Sequence, residues 1–122
     1  VAVMGPGCEP VRRVKTSGVD LVVGVWHGGR SRTFRDLRGG NADFGTIIYG
    51  TKSTGTGKSS GYAPLLEQIV KFFKTGQPPV PEEETIEIFA FMSAADESKA
   101  QGGAAISLQA LIDDARKRAN DP

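Results

Sequence analysis

The chain predicts an α+β fold: an open, mostly antiparallel sheet with about three helices packed on one face. Three observations lead there. Runs rich in β-branched and aromatic residues come first and amphipathic runs come last, the order expected when a meander is covered by helices that follow it. Val19–His27 and Ser31–Leu37 are joined by His27-Gly28-Gly29-Arg30, and paired glycines supply the positive φ that a tight hairpin needs. Val80–Gly103 reads as one long helix between two stop signals, the prolines Pro78, Pro79 and Pro81 before it and Gly102-Gly103 after it.

The elements follow in order. Val1–Pro10 is an apolar, then turn-rich incoming segment, and Val11–Thr16, with its Arg and Lys residues, suits an edge strand. Val19–His27 is the clearest strand, and Ser31–Leu37 pairs with it. After the polar connection Arg38–Asp43, Phe44–Thr51 is expected as a third strand of the same meander. Lys52–Gly61 is Gly, Ser, Thr and Lys, the composition of a flexible loop. Ala63–Thr75 is a helix with Pro64 in its first turn, one stripe of Leu66, Val70 and Phe73 and another of Leu65, Ile69 and Phe72, ended by Gly76. In Val80–Gly103, Glu82, Glu83 and Glu84 stand at the positive end of the helix dipole. Ile86, Phe89 and Ala90 share one face, Ile88, Met92 and Ala95 a neighbouring one, and Asp96–Lys99 are expected in solvent. Ala104–Leu108 is a short final strand, and Ser107 or a neighbour caps a last helix to about Ala119, with Leu108, Leu111, Ile112 and Ala115 facing in.

Composition narrows the function classes. The 122 residues make one domain, and a net charge of +1 gives no field directed at nucleic acid or an acidic membrane. The small cluster Arg116-Lys117-Arg118 suits the C-terminal end of a helix. Cys8 is the only cysteine, which excludes an internal disulfide and leaves the compartment open. The longest apolar run, Leu21–Trp26, is far short of the roughly 18 residues that suggest a membrane span.

Few residues point to chemistry. Gly55–Ser59 ends like a phosphate loop, yet Lys52 stands where the first glycine of that signature belongs. Met4-Gly5-Pro6-Gly7 is no dinucleotide fingerprint, because Pro6 and Pro10 break the helix that must follow. His27, the only histidine, reads as an exposed turn residue, and Cys8 as a buried or incidental thiol. Asp113-Asp114 and Glu82–Glu84 are helix-surface carboxylates. Trp26, Phe34, Phe44 and Tyr49 beside Arg30, Arg32, Arg35 and Arg38 could stack nucleic-acid bases, but sheet aromatics are more often core or interface.

Three segments carry a resemblance. Pro78–Gly103 fits P-x-V-x-x-E-E-T-(I/L)-E-I-F-x-F-M-x-A-A-D-E-S-K-x-x-G-G, which looks like the closing helix of the Gfo/Idh/MocA oxidoreductases. Asp36–Lys52, DLRGGNADFGTIIYGTK, resembles a sheet hairpin of that family. Tyr62–Pro79 resembles it through Tyr-x-Pro-Leu-Leu, a helix and Gly-x-Pro-Pro. The likeness runs from about Val11 to Leu108. It implies the later part of a second domain whose sheet packs helices on one side and commonly pairs subunits on the other. Family members bind NAD(P) in an N-terminal Rossmann domain and carry a Glu-Lys-Pro lysine and an Asp-x-x-x-His pair. Neither motif occurs here, so no catalytic, cofactor or metal residue is carried over.

The expectation is a non-catalytic C-terminal domain fragment, spanning residues 1–122, of an NAD(P)-dependent sugar or polyol oxidoreductase. The chain opens on Val1 and its motifs come late in the family pattern, so the Rossmann domain is expected to be missing and NAD(P) to belong to the parent. The expected partners are that domain and a second copy met through the sheet face, with no membrane and no nucleic acid. By position in the family, Arg38, Asn41 and Asp43 are candidates for the substrate edge. The alternative is a free-standing sheet domain binding a ligand or nucleic acid.

Overall fold

The computed structural model describes residues 4–39, 45–58 and 61–120. Its elements are β1 (Cys8–Lys15), β2 (Val19–Trp26), β3 (Ser31–Leu37), β4 (Gly45–Tyr49), β5 (Thr54–Lys58), α1 (Ala63–Thr75), α2 (Glu82–Ala100), β6 (Ile106–Ser107) and α3 (Leu108–Asn120). The expected α+β class holds. The chain divides into two compact units: one formed by the residues up to Arg38 and from Val80 onward, the other Gly39–Pro79.

The first unit is a four-stranded antiparallel sheet in the order β3-β2-β1-β6. The expected edge strand, β1, is therefore interior at its start, because Ile106 and Ser107 pair with Val11 and Pro10. Past that point the free edge of β1 is satisfied by a side chain. The Ser98 hydroxyl accepts the Arg13 amide at 2.8 Å and donates to the Ala104 carbonyl at 2.6 Å. Ser98 is wholly buried, against the expectation of a solvated last turn, since a hydroxyl that completes a strand edge must sit where the strand is. The β2–β3 link is the expected hairpin, a short 3-10 turn over His27–Gly29 with Gly28 and Gly29 at positive φ.

The core lies between the sheet and α2. It holds Val11, Val22, Trp26, Ala94, Ala95, Ile106 and Leu108, with Phe91 packed against it. Small residues on α2 let the helix approach the sheet closely. Gly24 does the same from β2, since a Cβ there would stand 2.8 Å from both the Phe91 and the Trp26 rings. The buried seam of α2 thus runs through Phe91, Ala94, Ala95 and Ser98, while Phe89 and Met92, expected to face in, are exposed. Gly102 and Gly103 stop α2 at positive φ, and the Gly103 amide closes onto the Ser98 carbonyl at 2.7 Å. The α3 helix packs on α2 and β1. Ser107 caps it as expected, its hydroxyl accepting the Ala110 amide at 3.3 Å. Leu108 is buried, Leu111 and Ile112 are half-buried, and Ala115 is exposed.

The second unit overturns two expectations. The strand expected to extend the meander is present as β4, but it pairs with β5 in a separate two-stranded sheet, from Gly45 opposite Lys58 to Tyr49 opposite Thr54. Its partner comes from the stretch read as a loop. Thr54 and Thr56 supply β-branched residues within a glycine-rich composition, and the Gly50 amide closes the turn on the Ser53 carbonyl at 2.9 Å. The α1 helix has its expected bounds, and Gly76 ends it at φ 69° with its amide on the Phe72 carbonyl. Its apolar stripes, from Leu65 to Phe73, are exposed.

Candidate functional site

The first unit places charged groups in a chain on the helix-bearing face of the sheet. Asp20, buried, accepts hydrogen bonds from Arg13 Nε at 3.0 Å and from Arg38 Nε at 3.0 Å, and pairs as well with Arg38 Nη2. Arg13 Nη1 reaches on to Asp96 of α2 at 2.5 Å. The hydrogen bonds from Arg13 and then Arg38 hold the Asp20 carboxyl at about 2, below its ordinary 3.8. The folded state is the stronger acid, so this pairing stabilises fully above pH 3.8 and the stabilisation is lost as pH falls through about 2. Urea melts of Asp20→Asn are expected to give a lower midpoint at neutral pH. Its midpoint should also fall less than that of the parent across the same acid window.

This arrangement engages Arg38. Its guanidinium is committed to Asp20 and its amide to the Gly18 carbonyl at 3.0 Å, so it pins the end of β3 to the β1–β2 turn. The other two substrate-edge candidates, Asn41 and Asp43, lie outside the described residues, as does Phe44. The four arginines around β3 do not form one basic stripe. Arg35 faces away from Arg32 and Arg38, and Arg30 Nη1 donates to the Met4 carbonyl at 3.0 Å. The aromatics separate likewise: Trp26 is core, Phe34 lies half-exposed on the helix-bearing face, and Tyr49 is in the other unit. Gly55 and Gly57 sit in β5, so that segment opens no helix for a phosphate; Ser59 lies outside the described residues.

A cleft of about 330 Å³ opens where β1, α2 and the start of α3 meet, lined among others by Cys8, Glu9, His27, Glu87, Ser107 and Leu108. Glu87 is the residue that sequence reasoning passed over. Its carboxylate accepts the Cys8 amide at 2.8 Å and the Gly7 amide at 3.0 Å. The signal available was a carboxylate interrupting the apolar run Ile86–Met92, in register with Phe91 and Ala94 on the buried seam. His27 is exposed, as expected for a turn residue, with Nδ1 2.7 Å from Glu9. Cys8 is buried, and burial first, then the Glu87 charge, pushes its thiol up to about 11. At neutral pH it is a protonated thiol, not a nucleophile. Among the described residues no group of three or more His, Cys, Asp and Glu is placed to hold a metal. Among those residues no helix is long and apolar enough to cross a membrane.

The opposite face of the sheet carries the remaining feature. Val19, Leu21, Val23 and Val25 alternate along β2 with the buried Asp20, Val22, Gly24 and Trp26, so they point away from the helices. Register places Val14 and Arg35 on either side of Leu21, and Arg12 and Thr33 on either side of Val23. Leu37 stands beside Val19. Neither α2 nor α3 covers these rows, and Val14 and Leu37 are about half-exposed. Comparison with protein-family models, curated proteins and solved structures gave no match to this chain.

Proposed function

We propose that this chain is the substrate-side and self-association part of an NAD(P)-dependent sugar or polyol oxidoreductase of the Gfo/Idh/MocA type. The nicotinamide and catalytic groups belong to a Rossmann part outside these residues. The observation that carries the reading is the open sheet face, four apolar β2 residues flanked by Val14 and Leu37. A contiguous apolar face of that kind is what a partner surface looks like, and a second copy supplies a matching one. The family resemblance favours the same face.

Size-exclusion chromatography with light scattering over a concentration series tests the reading. Dimers or larger species are expected. Leu21→Lys, which puts a charge at the centre of the face, should give monomers with an unfolding midpoint close to the parent's. A strictly monomeric parent chain at high concentration contradicts self-association. Tight binding of NAD(P)H by this chain alone contradicts the placement of the nicotinamide site elsewhere.

A further inference from the structure

We infer that the cleft where β1, α2 and the start of α3 meet binds a primary ammonium carried on a short aliphatic chain. The site lies within one chain and stands apart from the self-association reading above. Its volume of about 330 Å³ is at the lower end of the range that holds small ligands. Leu108, which is buried, and Ile112, which is half-buried, form its apolar wall. Glu9, His27, Glu87, Ser107 and Gln109 supply the polar groups, and among the described residues no lysine or arginine lines it.

Which ligand the cleft takes follows from the polar groups already spent. The Gly7 and Cys8 amides, the backbone donors that an anion would seek here, both go to the Glu87 carboxylate, at 3.0 and 2.8 Å. Gln109 turns its amide nitrogen to Asp113 at 2.8 Å, and the Ser107 hydroxyl oxygen accepts the Ala110 amide at 3.3 Å. What remains is chiefly acceptors. Glu9 gives one carboxylate oxygen to His27 Nδ1 at 2.7 Å and keeps the other. Each Glu87 oxygen has a lone pair beyond the one it uses, and Gln109 keeps its carbonyl oxygen. An imidazole that donates from Nδ1 to Glu9 accepts at Nε2. The Cys8 thiol is protonated and adds no charge. An anion would meet two carboxylates and find both amides taken. An ammonium brings three donors and the opposite charge, and its alkyl chain covers Leu108 and Ile112.

The test is nuclear magnetic resonance titration of the 122-residue chain with n-butylammonium chloride at mildly alkaline pH. It is read at the ring of His27, the only histidine, and at the Ile112 methyl groups. Saturable shifts at both are expected. Glu9→Gln, altered at an exposed strand position, should fold and bind about tenfold more weakly, the loss of one hydrogen bond to a charged acceptor. 1-Butanol, which lacks the charge, and tetramethylammonium chloride, which lacks the N–H donors, should also bind about tenfold more weakly. The absence of a saturable shift overturns the inference. Equal binding of 1-butanol or of tetramethylammonium overturns it too, because the contact is then apolar alone or an effect of salt. An affinity unchanged in Glu9→Gln overturns it as well, because the amine then sits elsewhere. Each of these results leaves the self-association reading untouched.

Discussion

Trp26→Ala is expected to destabilise the chain by about 3–5 kcal/mol, a large part of the stability of a domain this size. Trp26 is 1 % exposed and ends β2 on the helix-bearing face. Its ring stacks on Phe91 of α2 with centroids 6.2 Å apart, and its indole N–H donates to the Gly5 carbonyl at 2.9 Å. Truncation opens a cavity that Gly24, beside the ring, has no side chain to fill. Trp26→Phe keeps much of the volume and loses the N–H, so a smaller loss is expected. Urea unfolding followed by circular dichroism measures both, since Trp26 is the only tryptophan and the variants lose its fluorescence.

Glu87→Ala is expected to cost about 3 kcal/mol, the order of two hydrogen bonds made to a charged acceptor. The two amides it caps are consecutive, Gly7 and Cys8, and Gly7 lies at φ 98°, a conformation that suits glycine. Successive amides aimed at one anion form a concave donor site, and here a side chain of α2 fills it. Glu87 therefore ties the entry of β1 to the helix that covers the sheet. Glu87→Gln keeps an acceptor and removes the charge, so an intermediate loss is expected, with a lower Cys8 pKa because the Glu87 charge helps to raise it. Thiol titration of that variant separates the electrostatic effect from a general loosening, which would expose Cys8 altogether.

Much of the framework was legible in the residues. The helix bounds followed from Pro64, Gly76, Pro81 and Gly102-Gly103, because these residues act on the backbone whatever surrounds them. The β2–β3 hairpin followed from Gly28-Gly29 for the same reason. Facing was less legible. Ser98 looked like a solvated residue, and nothing local announces that its hydroxyl completes the edge of β1, 85 positions away. Phe89 and Met92 looked inward because periodicity allows a broad apolar arc, while the sheet accepts only the narrow seam that small residues leave. The pairing of β4 with β5 was hidden by glycine, which lowers strand propensity without preventing a ladder. Asp20 and Glu87 gain their roles from partners distant in sequence, Arg38 and the Gly7–Cys8 amides, so a single sequence carries no direct sign of them. Which residues make up the open face was not legible until the register was known.

We propose that copies of this chain meet through the open face of the four-stranded sheet. Thr33→Cys tests it most directly, since position 33 lies on that face beside Val23 and Cys8, buried and protonated, serves as an internal blank. A short bismaleimide linker is expected to join Thr33→Cys chains into covalent dimers, and added Leu21→Lys should abolish them. Thr33→Cys chains that remain uncrosslinked at concentrations where the parent self-associates would contradict the claim, because association would then run through another surface.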